Sequence, residues 1–87
     1  MTKVMKDRVL ETLQPMYNVI LNVEKNGRIL VLKDDIKFAF IEDKNIFFID
    51  QRGQFEKAAH DLLDNADDFL REATKAFWYT RSLADEA

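Results

Sequence analysis

Apolar positions recur at helical spacing at both ends of the chain and at strand spacing between them, dividing the sequence into three stretches. Over residues 2–14, Val4, Met5, Val9, Leu10 and Leu13 fall near helical spacing while Lys3, Lys6, Asp7 and Glu11 fall elsewhere, predicting a short amphipathic helix. Thr2 offers its hydroxyl as an N-cap acceptor, and Pro15 disfavours helical geometry at Gln14 and so ends the element. A helix this short depends on tertiary packing.

Residues 16–50 read as a four-stranded antiparallel meander. The first strand, Met16–Glu24, sets Tyr17, Val19, Leu21 and Val23 against Asn18, Ile20, Asn22 and Glu24. Asn26-Gly27 then predicts a type I′ hairpin turn, since both residues tolerate positive φ. Further strands follow at Arg28–Lys33, Ile36–Ile41 and Ile46–Asp50, joined by Asp34-Asp35 and by Glu42-Asp43-Lys44-Asn45. The later strands are apolar on both sides. Ile29 and Val31 oppose Leu30 and Leu32; Phe38 and Phe40 oppose Ala39 and Ile41; Phe47 and Ile49 oppose Ile46 and Phe48. Such a sheet needs cover on both faces, either from helices on opposite sides or from a second subunit.

Residues 54–84 carry a 4-3 spacing through Phe55, Ala59, Leu62, Ala66, Phe69, Ala73, Ala76 and Leu83, with Thr80 the one polar member and with Leu63, Leu70 and Phe77 in a second line. This predicts a long C-terminal amphipathic helix with a broad apolar face. Asp64-Asn65-Ala66-Asp67-Asp68 is its weak point, where Asn65 suits a C-terminal cap and Asp64 the N-cap of a new helix, so a kink or break is placed near 64–66. Unbroken, a helix of ~31 residues would run about 46 Å. The fold class expected is α+β in a single domain spanning 1–87.

Composition narrows the function. The 87 residues include 47% hydrophobic and 33% charged side chains but only two Gly, one Pro and no Cys, which excludes a disordered linker, a disulfide framework and thiolate chemistry. The chain shows no membrane-length apolar run and no signal-peptide core, so a soluble cytoplasmic protein is expected. The net charge of −3 is unevenly spread. Residues 1–53 hold nine basic and eight acidic side chains; residues 54–87 hold four basic and eight acidic, a local charge of −4.

The catalytic inventory is thin, with one His, Ser82 near the end of the chain, and no phosphate-loop, nucleophile-elbow or zinc-protease pattern. No enzyme activity and no cofactor are expected. Glu56, His60 and Asp64 at i, i+4 and i+8 would share a helix face and suit a divalent ion, but as three ordinary solvent-facing residues they lead to no metal assignment. The acidic set Asp61, Asp64, Asp67, Asp68 and Glu72 forms a strip that would dock onto a basic protein surface, as small inhibitors of nucleic-acid enzymes do. Phe55, Leu62, Phe69, Leu70, Phe77, Trp78 and Tyr79 are the candidate dimer or interface residues; in Phe77-Trp78-Tyr79 three consecutive rings cannot all face one core.

The expected function is therefore a homodimeric, non-catalytic protein-interaction module, a regulator or inhibitor of the kind found among phage or bacterial accessory proteins. Two alternatives stand beside it. One is nucleic-acid binding through Lys25, Arg28, Lys33, Lys37 and Lys44, with Phe47 or Phe48 stacking on bases. The other is a structural, chaperone-like assembly subunit.

Overall fold

The computed structural model describes residues 2–59 and 64–86. In order along the chain it has α1 (Thr2–Thr12), β1 (Val19–Val23), β2 (Ile29–Lys33), β3 (Ile36–Glu42), β4 (Asn45–Ile49), β5 (Phe55–Lys57) and α2 (Ala66–Glu86). The α+β class holds, with five strands in place of four. They form one antiparallel sheet in sequence order, β1-β2-β3-β4-β5. No helix among the described residues is long and apolar enough to cross a membrane.

β1 is shorter than its alternation implied. Asn18 takes φ of 63°, which breaks the extended backbone, and its side chain donates to Asp34 at 2.8 Å. Tyr17 therefore lies outside the strand and is 80% exposed.

The hairpins use two turn chemistries. At Asn26-Gly27 only Gly27 has positive φ, so the turn is not the type I′ expected. Gly27 N–H donates to the Glu24 carbonyl and Glu24 N–H to the Arg28 carbonyl, giving a three-residue loop that closes with Gly in the left-handed region. Gln51-Arg52-Gly53 repeats this geometry: Gly53 N–H donates to Asp50 O, and Asp50 N–H to Gln54 O. That second loop is what turns the chain into β5. The two-residue turns at Asp34-Asp35 and Asp43-Lys44 instead hold both residues at positive φ.

A β-bulge decides which rings face inward. Val31 pairs with Ala39 and Leu32 with Lys37, leaving Phe38 as the extra residue. Simple alternation put Phe38 with Phe40, opposite Ala39. The bulge instead buries Phe38 and Ala39 together and leaves Phe40 on the other side.

Both helices lie on one face of the sheet. Val9 and Leu13 of the α1 region share a single buried cluster with Phe69, Ala73, Ala76 and Phe77 of α2 and with Ile29, Val31, Phe38, Ile41, Ile46 and Phe48 from the strands. Edge-to-face pairs Phe38–Phe77 (6.0 Å) and Phe48–Phe69 (5.7 Å) join α2 to β3 and β4.

The expected helix over 54–84 is corrected at its start. Phe55–Lys57 pairs with β4, and Ala58 N–H donates to the Ile46 carbonyl at 2.8 Å. The helix itself begins at Ala66, capped by Asn65 in the role the sequence offered to Asp64. Asn65 Oδ1 accepts from Asp68 N–H at 3.3 Å, while Asn65 Nδ2 donates to Asp68 Oδ2 at 2.8 Å.

Candidate functional site

With both helices packed on the inner face, the apolar side chains of the outer face stand outside the core they close; Ile20 is exposed and the others are half-buried. The strand registers define its rows. Asn22, Leu30, Phe40, Phe47 and Lys57 stand opposite one another across all five strands. Ile20, Leu32 and Lys37 form the next row over β1, β2 and β3. Ile20, Leu30, Leu32, Phe40, Phe47 and Phe55 neither belong to the buried cluster nor pack against it. They form a separate apolar surface.

Its centre is aromatic. Phe40 and Phe47 stack with centroids 4.6 Å apart and planes 15° from parallel, and Phe55 meets Phe40 edge-on at 4.9 Å. Neighbouring strands are themselves about 4.8 Å apart. Rings stacked along that direction stand upright on the sheet and present their rims outward. The other side of Phe40 is covered by Arg28, whose guanidinium carbon lies 5.0 Å from the ring centroid. Lys37 Nζ lies 5.7 Å from the Phe55 centroid.

Charge is graded along this face. Arg28 donates to Glu24 Oε1 at 2.8 Å, and this hydrogen bond, with the nearby charge of Glu42, raises its pKa. Two carboxylates and one guanidinium therefore gather at the end carrying the β1–β2 and β3–β4 turns, while Lys37 lies toward the opposite end. Lys33, grouped with these cations in the nucleic-acid reading, turns to the helix side: its Nζ donates to the Tyr17 carbonyl at 2.8 Å and lies 5.1 Å from the Phe77 centroid.

The interface residues expected from the sequence separate into distinct places. Phe55 is on β5 at the outer face, not on a helical seam. Phe69 and Phe77 are 1% and 2% exposed, in the chain's own core, and Leu70 packs against that core. Trp78 is 53% exposed under the Arg81 guanidinium at 5.2 Å. Tyr79 lines an open cleft of about 480 Å³ between α2 and the β4–β5 hairpin, together with Asp50, Glu56, Glu72 and Lys75. His60, Asp61 and Leu62 lie outside the described residues.

The remaining acidic residues cluster around the start of α2, where carboxylates favour the positive end of the helix dipole. Asp64 pairs with Arg8 at 3.2 Å, Asp68 with Arg71, and Glu72 with Lys75 at 3.8 Å; Asp67 is exposed. Glu56 is in β5 and Asp64 precedes α2, so these two do not share a helix face. Among the described residues no three His, Asp or Glu side chains are gathered to hold a metal ion.

Sequence reasoning found the two-sided apolar strands but not the Phe40–Phe47–Phe55 cluster. Its signal was available in part: Phe40 and Phe47 are equidistant from the Asp43-Lys44 turn, which makes them cross-strand partners. Phe55 was hidden by a helical reading of its segment.

Comparison with known protein families, curated proteins and solved structures returned no match.

Proposed function

We propose that the chain is a small, non-catalytic protein-interaction module that docks a partner protein on the outer face of its sheet. The observation that supports this reading is the half-exposed apolar face of Ile20, Leu30, Leu32, Phe40, Phe47 and Phe55, separate from the buried core. Apolar patches of this kind with a charged rim are characteristic of docking surfaces. The partner it fits is a protein with an apolar strip flanked by a carboxylate that meets Lys37. A module of this type regulates or inhibits by occupancy.

The other docking surfaces have less in their favour. Asp64, Asp68 and Glu72 already hold cations of their own chain, so a basic partner would have to displace Arg8, Arg71 and Lys75 to gain them. Base stacking needs open ring faces, whereas Phe40 is sandwiched between Phe47 and Arg28.

The test compares three forms of the full chain as affinity baits in extract from its source cell: wild type, Phe40→Ser/Phe47→Thr, and Asp67→Asn/Glu72→Gln. A partner held by wild type and by the acidic-strip variant, and lost from the outer-face variant, is the expected result. Loss from the acidic-strip variant with retention by the outer-face variant would move the site to α2 and overturn the proposal. So would an oligonucleotide gel shift that weakens steeply with salt and disappears in the outer-face variant.

A further inference from the structure

β1 is an edge strand, hydrogen-bonded to β2 alone in the sheet. Edges of stable monomers are usually blunted by Lys, Pro, a bulge or shortness, since their free N–H and C=O groups template further pairing. β1 has none of these. Its sequence is Val19-Ile20-Leu21-Asn22-Val23, without charge or Pro, and its register with β2 is unshifted over all five residues. Three of the five exposed large apolar side chains among the described residues lie on this strand or just before it in the chain: Tyr17, Ile20 and Val23.

We propose that this edge pairs with β1 of a second copy, antiparallel about a two-fold axis at Leu21, to give a continuous ten-stranded sheet. The choice of occupant follows from the pattern. A two-fold at Leu21 sets Val19 against Val23, Ile20 against Asn22 and Leu21 against itself. Every pair keeps its residues on the same face, so Val19, Leu21 and Val23 of both copies form one apolar strip on the helix side. Next to these, Asn18 meets Glu24. No like charges oppose one another. The other edge lacks this property: β5 has three residues, and a two-fold at its centre would set Glu56 against Glu56. The dimer does not depend on the outer-face reading, because it leaves Phe40, Phe47 and Phe55 open.

The test is sedimentation of the full chain over a concentration series. Wild type is expected to approach twice the 10.2 kDa chain mass. Ile20→Lys/Asn22→Lys, at two exposed positions, sets Lys opposite Lys at both pairs across the axis. It is expected to weaken the dimer roughly tenfold or more while leaving far-UV circular dichroism unchanged. Mixing it with Ile20→Glu/Asn22→Glu is expected to restore the dimer as a heteromer. The chain has no native Cys, so Leu21→Cys gives a clean second measurement. Facing Cα atoms about 5 Å apart permit a disulfide, and mild oxidation is expected to link two chains covalently. The proposal is overturned by a monomer at every concentration, by a dimer that survives the Lys pair, or by a dimer that dissolves only in Phe40→Ser/Phe47→Thr.

Discussion

At the scale of single residues, short polar side chains hold the turns, and two of them, Asp50 and Asp34, are expected to make the fold acid-sensitive. Asp50 Oδ1 accepts from the N–H groups of Arg52 at 2.9 Å and Gln54 at 3.0 Å, fixing the loop that delivers β5. These bonds favour the ionised form and hold the Asp50 pKa below the usual carboxylate range, the bond from Gln54 contributing most. Asp34 is lowered in the same sense, first by the Asn18 side chain and then by Lys33. In the unfolded chain both titrate near the ordinary value of about 3.9. A folded pKa below the unfolded one means the folded state binds protons less readily, so this stabilisation is complete above the ordinary value and is lost as pH falls below it. Urea midpoints are therefore expected to stay level down to about pH 5 and to drop below about pH 4. Asp50→Asn/Asp34→Asn preserves the amide acceptor at Asp50 without its titration, and its acid limb should be shallower. An acid limb as steep as that of wild type would show that these two turns are not responsible.

At the scale of elements, local pattern and tertiary pairing agreed for most of the chain and parted most at β5 and at the Phe38 bulge. α1, β2, β3 and β4 were legible because period and turn residues pointed the same way. Residues 55–59, Phe-Glu-Lys-Ala-Ala, continue the 4-3 apolar spacing of α2 and include good helix formers, so nothing local marks them as a strand. The β4 edge supplies what local propensity does not, through pairs from Phe47–Lys57 to Ile49–Phe55. The Phe38 bulge was invisible for a related reason: alternation fixes a face only while the register is unbroken. The cap of α2 was half legible, since Asp64-Asn65 marks the place of the cap but the residue that fills it is Asn65, not Asp64. Asn65 wins because Asp68, three residues on, returns its hydrogen bond. Asn65→Ala is expected to cost about 1 kcal/mol. In a domain of this size that lowers the thermal midpoint by roughly 4–8 °C. Asn65→Ser, which keeps an acceptor for Asp68 N–H, should recover most of the loss. Equal loss in the Ser and Ala variants would mean that the Asn65 amide donor to Asp68, not the backbone cap, carries the effect.

At the scale of the molecule, the five strands and two helices of the described residues divide the apolar side chains between a sealed core and a half-exposed outer face. The described chain measures 37 × 30 × 23 Å, and α2, at about 32 Å, covers one side of the sheet along its length. Having both helices on that side closes the core around Phe38, Phe69 and Phe77 and leaves Leu30, Leu32, Phe40, Phe47 and Phe55 without a second layer. The two sets of rings should then answer substitution differently. Phe38 has no exposed surface, and Phe38→Ala is expected to cost about 3–5 kcal/mol, a large part of the total stability of a domain this small. Phe40→Ser/Phe47→Thr removes a stacked pair worth about 0.5–1.5 kcal/mol beyond its burial, from a surface that is partly wet already. It should leave a cooperative fold with a smaller shift in urea midpoint. An environment-sensitive apolar dye separates the two cases. Native wild type is expected to enhance its fluorescence without denaturant, and the outer-face variant to lose most of that enhancement with its far-UV circular dichroism unchanged. Dye binding that persists in the outer-face variant would locate the accessible apolar surface elsewhere, at Leu10, Tyr17, Val23 or Trp78.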